Sequence, residues 1–313
     1  MTLIHNSGAG DGRFSEDNLL ALIREAGHSA IYQSSKDDDW EAVLEKPCDV
    51  VAVAGGDGTI GKVARRLLGR SVPIAVLPLG TANDISKALG LSETPIERLV
   101  GEWTKARRIK FDVGIVDGPC GSRCFIESLG AGLFATTMSR LDARNNIELA
   151  HLSAPEDKIK AVLHMLRDQL QDHTLKKLKV SLDGKDLSGK YILLELMNIA
   201  YLGPNLALAP DADPGDGLLD LVLLAEDEED KMIHYLSDRV AGNPSPAGLK
   251  VLRGRELQIE WDGFAIHIDD EVWPTVGSSF PLSSAVIDVK VDDHALEFLV
   301  PHESLTRPRG GAL

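Results

Sequence analysis

No apolar stretch in this 313-residue chain approaches the roughly 18 to 20 residues that a membrane-spanning helix needs. Met1 to Asn6 hold neither a basic region nor a long apolar one, so no signal peptide is expected. Cysteine is scarce. Cys48, Cys120 and Cys124 are odd in number and have no disulfide-framework spacing. Cys120 and Cys124 bracket a predicted turn without the further Cys or His pair of a zinc site. Positive charge is also short: 33 Lys and Arg face 48 Asp and Glu, a net charge of −15. That balance argues against general affinity for nucleic acid or anionic membranes. The two basic clusters, Arg107-Arg108-Ile109-Lys110 and Lys176-Lys177-Leu178-Lys179, read as solvated strand ends or as local basic patches. There is no G-x-x-x-x-G-K-[ST] P-loop, no protein-kinase H-R-D or D-F-G set, no internal repeat and no low-complexity tract. The expectation is a reduced, cytoplasmic protein with no nucleic-acid partner.

What is present is a globular composition, 43% hydrophobic and 26% charged, with enough length for two domains. Leu3-Ile4, Ala30 to Tyr32, Asp49 to Ala54 and Pro73 to Leu77 are short apolar runs that predict strands. The valine-rich run ending at Ala54 suits a strand buried on both faces. Between the strands, Leu19, Leu20, Leu22 and Ile23, and then Ile60, Val63, Ala64, Leu67 and Leu68, recur at helical spacing. Strands alternating with helices predict parallel βαβ units and a doubly wound, Rossmann-like sheet.

From about Phe111 the texture turns to β. Hairpins are expected at Asp183-Gly184, Asp262-Gly263 and Asp292-Asp293-His294. A helical interval near 136–175 interrupts the strands, and Glu226 to Asp230 and Asn243-Pro244-Ser245-Pro246 read as exposed connections. The expected organisation is an α/β domain over 1–111 and a β-rich domain over 112–298. The tail from about 299 to 313 is expected to pack back on the first domain.

Gly55-Gly56-Asp57-Gly58-Thr59 ends a predicted buried strand and opens a helix. An α/β sheet offers its ligand crevice at that place, where free backbone N–H groups and the helix dipole favour an anion. Asp57 beside a phosphate would repel it unless the carboxylate holds Mg²⁺, a water or the acceptor hydroxyl. A strand-to-helix turn with a capping Asp is the alternative. Pro78 to Asp84 forms a similar turn after the next strand, with Gly80 and Thr81 facing an anion and Asn83 or Asp84 capping the helix. Asn6-Ser7-Gly8-Ala9-Gly10 makes a third loop on the same edge. Three glycine-containing loops converging there favour a nucleotide site. Gly130-Ala131-Gly132-Leu133-Phe134-Ala135 fits the G-x-G-x-x-A fingerprint, but no strand with a terminal acidic residue follows, so a dinucleotide site is not expected.

Together with Ala209 to Asp220, which contains Asp216-Gly217-Leu218-Leu219-Asp220, these two turns resemble the diacylglycerol kinase catalytic family, which includes bacterial lipid kinases and sphingosine kinases. The resemblance runs from Asn6 to about Val300. It implies an N-terminal α/β domain, a C-terminal β-sandwich, an active site in the cleft between them, ATP as co-substrate and Mg²⁺. It carries nucleotide contacts onto Asn6, Ser7, Gly8, Gly10, Ser34 or Ser35, Gly55 to Thr59, Gly80, Thr81 and Asn83. A structural Mg²⁺ site falls on Asp216, with backbone carbonyls near Asp213 and Leu218. Glu271, in Asp269-Asp270-Glu271, takes the place of the general base, with Asp57 as the second catalytic carboxylate. The chain departs from the family pattern at Gly61-Lys62, at Asp270 in place of a glycine, and at Glu127 in place of an asparagine. The implied reaction is phosphorylation of a lipid hydroxyl such as diacylglycerol. A sphingoid base, a small soluble alcohol, or nucleotide or lipid binding without catalysis are the alternatives. A transient contact with a membrane surface and a homodimer stay open.

Overall fold

The computed structural model describes residues 1–10, 13–119, 121–143, 149, 152, 154–171, 176–243, 245–274 and 285–302. Cys120, Pro244, parts of the interval near 136–175 and the tail from 303 lie outside the described residues. The chain divides into two compact units. One comprises Met1–Val113, Pro214–Asp216 and Asp293–Leu313, and the other Gly114–Asp213 and Gly217–Asp292.

The first unit is built on β1 (Thr2–His5), β2 (Ile31–Ser34), β3 (Val51–Gly55) and β4 (Ile74–Pro78), in the order β2-β1-β3-β4 and parallel throughout. Leu3, Ile4, Val51 to Ala54 and Ile74 to Leu77 are all buried, as continuous apolar strands flanked on both faces must be. Four helices connect or follow these strands: α1 (Glu16–Glu25), α2 (Asp57–Leu67), α3 (Asp84–Ala88) and α4 (Ile96–Glu102). Helix α1 starts where the Ser15 hydroxyl accepts the Asn18 N–H at 3.3 Å, and it buries Leu19 and Ile23. Because β2 and β3 lie on opposite sides of β1, the strand order reverses between β1 and β3. In doubly wound sheets a ligand crevice opens at that reversal.

The second unit begins within β5 (Arg107–Gly118) and continues through β6 (Gly121–Phe125), β7 (Ser128–Gly132), β8 (Lys176–Leu182), β9 (Lys185–Asp186) and β10 (Gly189–Met197). It goes on through β11 (Tyr201–Leu202), β12 (Leu206–Ala207), β13 (Leu219–Ala225), β14 (Val251–Gly254), β15 (Glu256–Trp261), β16 (Ile266–Ile268), β17 (Glu271–Trp273) and the first half of β18 (Ala285–Val300). Its helices are α5 (Leu133–Ala143), α6 (Pro155–Gln171) and α7 (Glu229–Ala241). Strand β10 pairs with β7 on one side and β13 on the other. Alternation along β10 sends Leu194 and Leu196 into a sandwich core with Val180, Leu257, Ile259 and Ile287, while Leu193 and Met197 face a second core made with Leu163, Leu166, Met232 and Leu236 of the helices. The result is a doubly wound α/β domain and a β-sandwich-like domain with helices on one face.

Of the three expected hairpins, the one at Asp183-Gly184 forms: both residues have positive φ and β8 pairs with β9. The other two do not. After Trp261 the chain changes layer, since β15 pairs with β8 and β18 whereas β16 pairs with β7 and β17. The Trp261 indole N–H closes that corner on the Phe264 carbonyl at 2.7 Å. At Asp292 to His294 the chain runs on as the 16-residue β18. His294 takes φ 60°, and its N–H is held at 2.7 Å by the Asp112 carboxylate, so polar residues mark a bend within one strand. Beyond the bend, Phe298 and Leu299 pair in parallel with Ile74 and Ala75 of β4.

Candidate active site

The three loops of the first unit meet at the C-terminal edge of the sheet. Parallel pairing sets Gly55 beside Pro78, so the turn after β3 lies next to the turn after β4. The contact is between backbones: a Cβ on Gly80 would stand 2.5 Å from the Gly56 Cα. The Asn6 amide donates to the Thr59 hydroxyl at 3.2 Å and its oxygen accepts the Gly8 N–H at 3.0 Å, tying the first loop to the second. Gly10 lies against the Leu79 carbonyl. Asn83 adopts φ 53°, accepts the Gly80 N–H at 2.9 Å and returns its own N–H to the Gly80 carbonyl at 2.8 Å. Its role is therefore to fold its own turn. Ser34, at the end of β2, pairs with His5, and the Ser35 N–H reaches the His5 carbonyl at 2.9 Å, which puts both serines on the same edge. Ser7 and Thr81 are exposed, and Gly58 is half-buried in the first turn of α2. The Gly61-Lys62 departure lies on α2, with Gly61 buried and Lys62 exposed.

Asp57 is half-buried between the turns and accepts the Ile85 N–H at 3.0 Å, capping α3 rather than its own helix. Burial raises its carboxyl pKa, against the backbone N–H groups of Ile85 and Asp84 and the Lys87 ammonium, which lower it. A carboxylate oxygen of Asp57 comes within 4.8 Å of one of Asp84. Asp84 is buried and pairs with Lys87 at 2.9 Å, and Lys87 also binds the Ala82 carbonyl at 2.6 Å. Sequence reading took Asp84 only as a helix cap. The buried acidic pair emerges because β3 and β4 are neighbours.

In the second unit Glu271 opens β17, opposite Ile268. Its side chain is 58% exposed and pairs with Arg123 at 3.0 Å. The preceding turn is held by Asp269, whose carboxylate accepts the N–H groups of Ile126 (3.0 Å), Glu127 (2.8 Å) and Ser128 (3.3 Å). Asp269 also takes the turn's left-handed conformation, φ 50°. Asp270 has no positive φ, so the missing glycine costs this backbone nothing. The Glu127 corner is fastened a second time by Asn198, whose backbone N–H and side-chain N–H reach Glu127 and Ile126 carbonyls at 2.8 Å each. His267 does not aim at the Asp269 carboxylate. Its Nδ1 meets the Asp269 carbonyl at 3.1 Å and its Nε2 meets Glu195 at 3.0 Å. Gly130 of the fingerprint-like run sits inside β7, between Glu195 and His267. The sequence signal for Glu195 is a lone carboxylate inside the apolar run Ile192 to Met197.

Asp213, Asp216 and Leu218 lie on the segment between β12 and β13, which passes from one unit to the other and back. Within the first unit the Asp112 N–H donates to the Pro214 carbonyl. Among the described residues, no helix is long and apolar enough to cross a membrane.

A two-unit fold of this kind, with paired glycine turns in the α/β unit, defines a class of kinases. Residues 1–116 match the family described as diacylglycerol kinase catalytic domain, and residues 135–295 match the YegS C-terminal NAD kinase beta sandwich-like domain. A probable lipid kinase YegS-like protein of Serratia proteamaculans is 34% identical, over 73% of each chain. A diacylglycerol kinase of Mycobacterium tuberculosis is 23% identical, over 74% of this chain and 72% of its own. A crystal structure of a putative diacylglycerol kinase from Bacillus anthracis superimposes with a TM-score of 0.70 at 19% identity, covering 96% of this chain and 95% of the other, a likeness of fold. The chain belongs to the diacylglycerol kinase family, among the YegS-like lipid kinases. It is a kinase that phosphorylates an alcohol acceptor.

Proposed function

We propose that this protein transfers the γ-phosphoryl group of ATP to a lipid hydroxyl, with diacylglycerol as the first acceptor to test. The observation that carries this reading is the backbone contact of Gly56 with Gly80, which joins the turns after β3 and β4 beside the reversal between β1 and β3. The N-terminus of α2 and the Gly80–Thr81 turn lie side by side there, with Asn6, Thr59 and Thr81 as candidate side-chain donors to a phosphate. In the proposed step the acceptor oxygen forms a bond to the γ-phosphorus, the bond to the bridging oxygen breaks and ADP leaves. The acceptor's proton passes to the Glu271 carboxylate, one oxygen of which pairs with Arg123. The first unit contributes orientation and charge stabilisation, the larger part of catalysis in phosphoryl transfer.

Mg²⁺ suits the donor types of the 213–218 segment: the Asp216 carboxylate and backbone carbonyls near Asp213 and Leu218 are hard oxygens of the kind it takes. Bound there, it would supply a fixed positive charge to the segment. Asp57 and Asp84 form a second pair of hard oxygen donors, in the first unit.

The test is transfer of labelled phosphate from ATP to diacylglycerol, a sphingoid base and glycerol in parallel, by wild type and Glu271→Gln. Diacylglycerol labelling that falls by at least about 100-fold in the variant supports the reading, a loss at the lower end of those for an acid–base residue. Labelling of glycerol alone would replace the lipid by a soluble alcohol. Full turnover by Glu271→Gln would remove the base.

A further inference from the structure

Glu195, Gly130 and His267 lie in one register row across β10, β7 and β16. Their neighbours Leu129, Ala131, Leu194, Leu196, Ile266 and Ile268 all point into the sandwich core, so the row occupies the opposite face of the sheet. Helix α5 packs over that face, against β7, β10 and β16. Glu195 and His267 are both 0% exposed. They touch across the middle strand because its residue is glycine: a Cβ on Gly130 would overlap the Glu195 carboxylate. A buried carboxylate and imidazole are costly to place in an apolar sheet, and apolar pairs in such positions are often as stable or more so. Fold stability therefore gives no reason for this row.

Its connections do. The Asp269 carbonyl can only accept, so His267 Nδ1 carries a proton and donates to it. Nε2 faces both oxygens of Glu195 at 3.0 Å, with one proton between ring and carboxylate. Burial raises the Glu195 carboxyl pKa, against His267, which lowers it. Burial alone would lower the His267 pKa, but the Glu195 carboxylate and Asp269 together offset this, and the net direction is upward. Both directions favour keeping the shared proton between ring and carboxylate. The ring orientation is thus fixed from one side, and the Asp269 carbonyl is held from the other. Asp269 is the left-handed residue that grips 126–128 with its carboxylate, two positions before Glu271.

We propose that Glu195 and His267, seated over Gly130, are positioning residues for the Asp269–Glu271 turn, fixing where the Glu271 carboxylate stands during transfer. This rests on the reading of Glu271 as the base. The decisive variant is Glu195→Leu/His267→Leu, which removes both polar partners together and keeps apolar volume. It is expected to fold with a Tm no lower than wild type, because no buried charge is left unpaired. Its kcat with ATP and diacylglycerol micelles is expected to fall about 10-fold or more, with KM for ATP unchanged, as expected when a reacting group is misplaced by a fraction of an ångström. Amide exchange at Ile126, Glu127 and Ser128 is expected to accelerate, a readout independent of turnover. Glu195→Gln, which can still hydrogen-bond the ring, is expected to lose less than about 3-fold, a small part of a misplacement effect.

A double-mutant cycle with Glu271→Gln separates the two ideas. If Glu271→Gln is impaired, the Leu pair added to it should cost little more. Additive losses would overturn the positioning role. So would a folded Leu pair with wild-type kcat and protected amides. If the Leu pair does not fold, Glu195→Ala decides by the same cycle and the same amides. Should Glu271→Gln turn over at the wild-type rate, or wild type label no diacylglycerol, the base or the acceptor falls and the positioning role falls with it. Amide protection would still report whether the row holds the turn.

Discussion

Gly56 and Gly80 leave no room for a methyl group between them. Gly80→Ala would bring a Cβ to 2.5 Å from the Gly56 Cα and 2.7 Å from the Asn83 oxygen, and both are parts of the turns proposed to face the phosphates. Strain of about 1–3 kcal/mol is expected, and ATP affinity measured by calorimetry should fall about tenfold or more. Gly69→Ala is the control. Unlike Gly80, Gly69 has a positive φ, 73°, and nothing lies within 4 Å of its Cβ position, so its cost is backbone strain alone: about 1 kcal/mol of stability and no affinity. Asp57 makes the opposite trade. Its pKa is raised by burial, so its charged form is a burden on the folded state at neutral pH. For an acid raised in this way, the folded state binds the proton more readily, and stability is recovered as pH falls through the folded pKa. Asp57→Asn keeps an oxygen for the Ile85 N–H. It should therefore melt at or above the wild-type temperature at pH 7 while losing activity, and the gap should close as the pH falls towards the carboxylate range. A wild type more stable than Asp57→Asn at neutral pH would remove that explanation.

At the level of elements, β18 is one strand where its sequence suggested a hairpin. Its bend depends on the bond from the His294 N–H to the fully buried Asp112 carboxylate. Asp112→Leu leaves that donor without its partner and should cost about 1–3 kcal/mol in denaturant unfolding. Past the bend, Glu297 takes both Arg108 and Lys110 of β5, so that part of the basic cluster is consumed within the fold. The bond from Lys110, with Arg108 beside it, lowers the Glu297 pKa below its ordinary 4.5. The sign follows from that direction. The contribution is present above 4.5 and is lost as the pH falls through the lowered value. Wild type should be slightly more stable than Glu297→Gln at pH 7, by less than about 1 kcal/mol for ion pairs open to solvent. The two should converge under strong acid.

For the whole molecule, the net charge of −15 sets how a lipid kinase can meet its substrate. A protein of this sign is repelled by anionic lipid over a Debye length, and salt shortens that length. Phosphorylation of diacylglycerol in vesicles should therefore slow as anionic lipid is added and recover as salt is raised. The reverse trend would require a basic docking face strong enough to overcome the total charge. No membrane-crossing helix exists among the described residues to bypass this encounter.

How much of this was legible in the chain follows from how local each feature is. Valine-rich strands ending in glycine, the Gly55–Thr59 and Gly80–Asn83 turns and the doubly wound order are written in short runs. Parallel βαβ units leave little choice about which edge those turns share. The Asp183-Gly184 hairpin was equally local. The unbroken β18, the layer change after Trp261, the Asp57–Asp84 approach and the Glu195–Gly130–His267 row depend on which distant strands become neighbours. A carboxylate in an apolar strand and a glycine in a G-x-G run have no stated partner until β10, β7 and β16 align. Short-range patterning determined which glycine turns share one sheet edge. Only tertiary pairing decided what holds the proposed base in place, because residues 72 apart meet solely through the register of the strands between them.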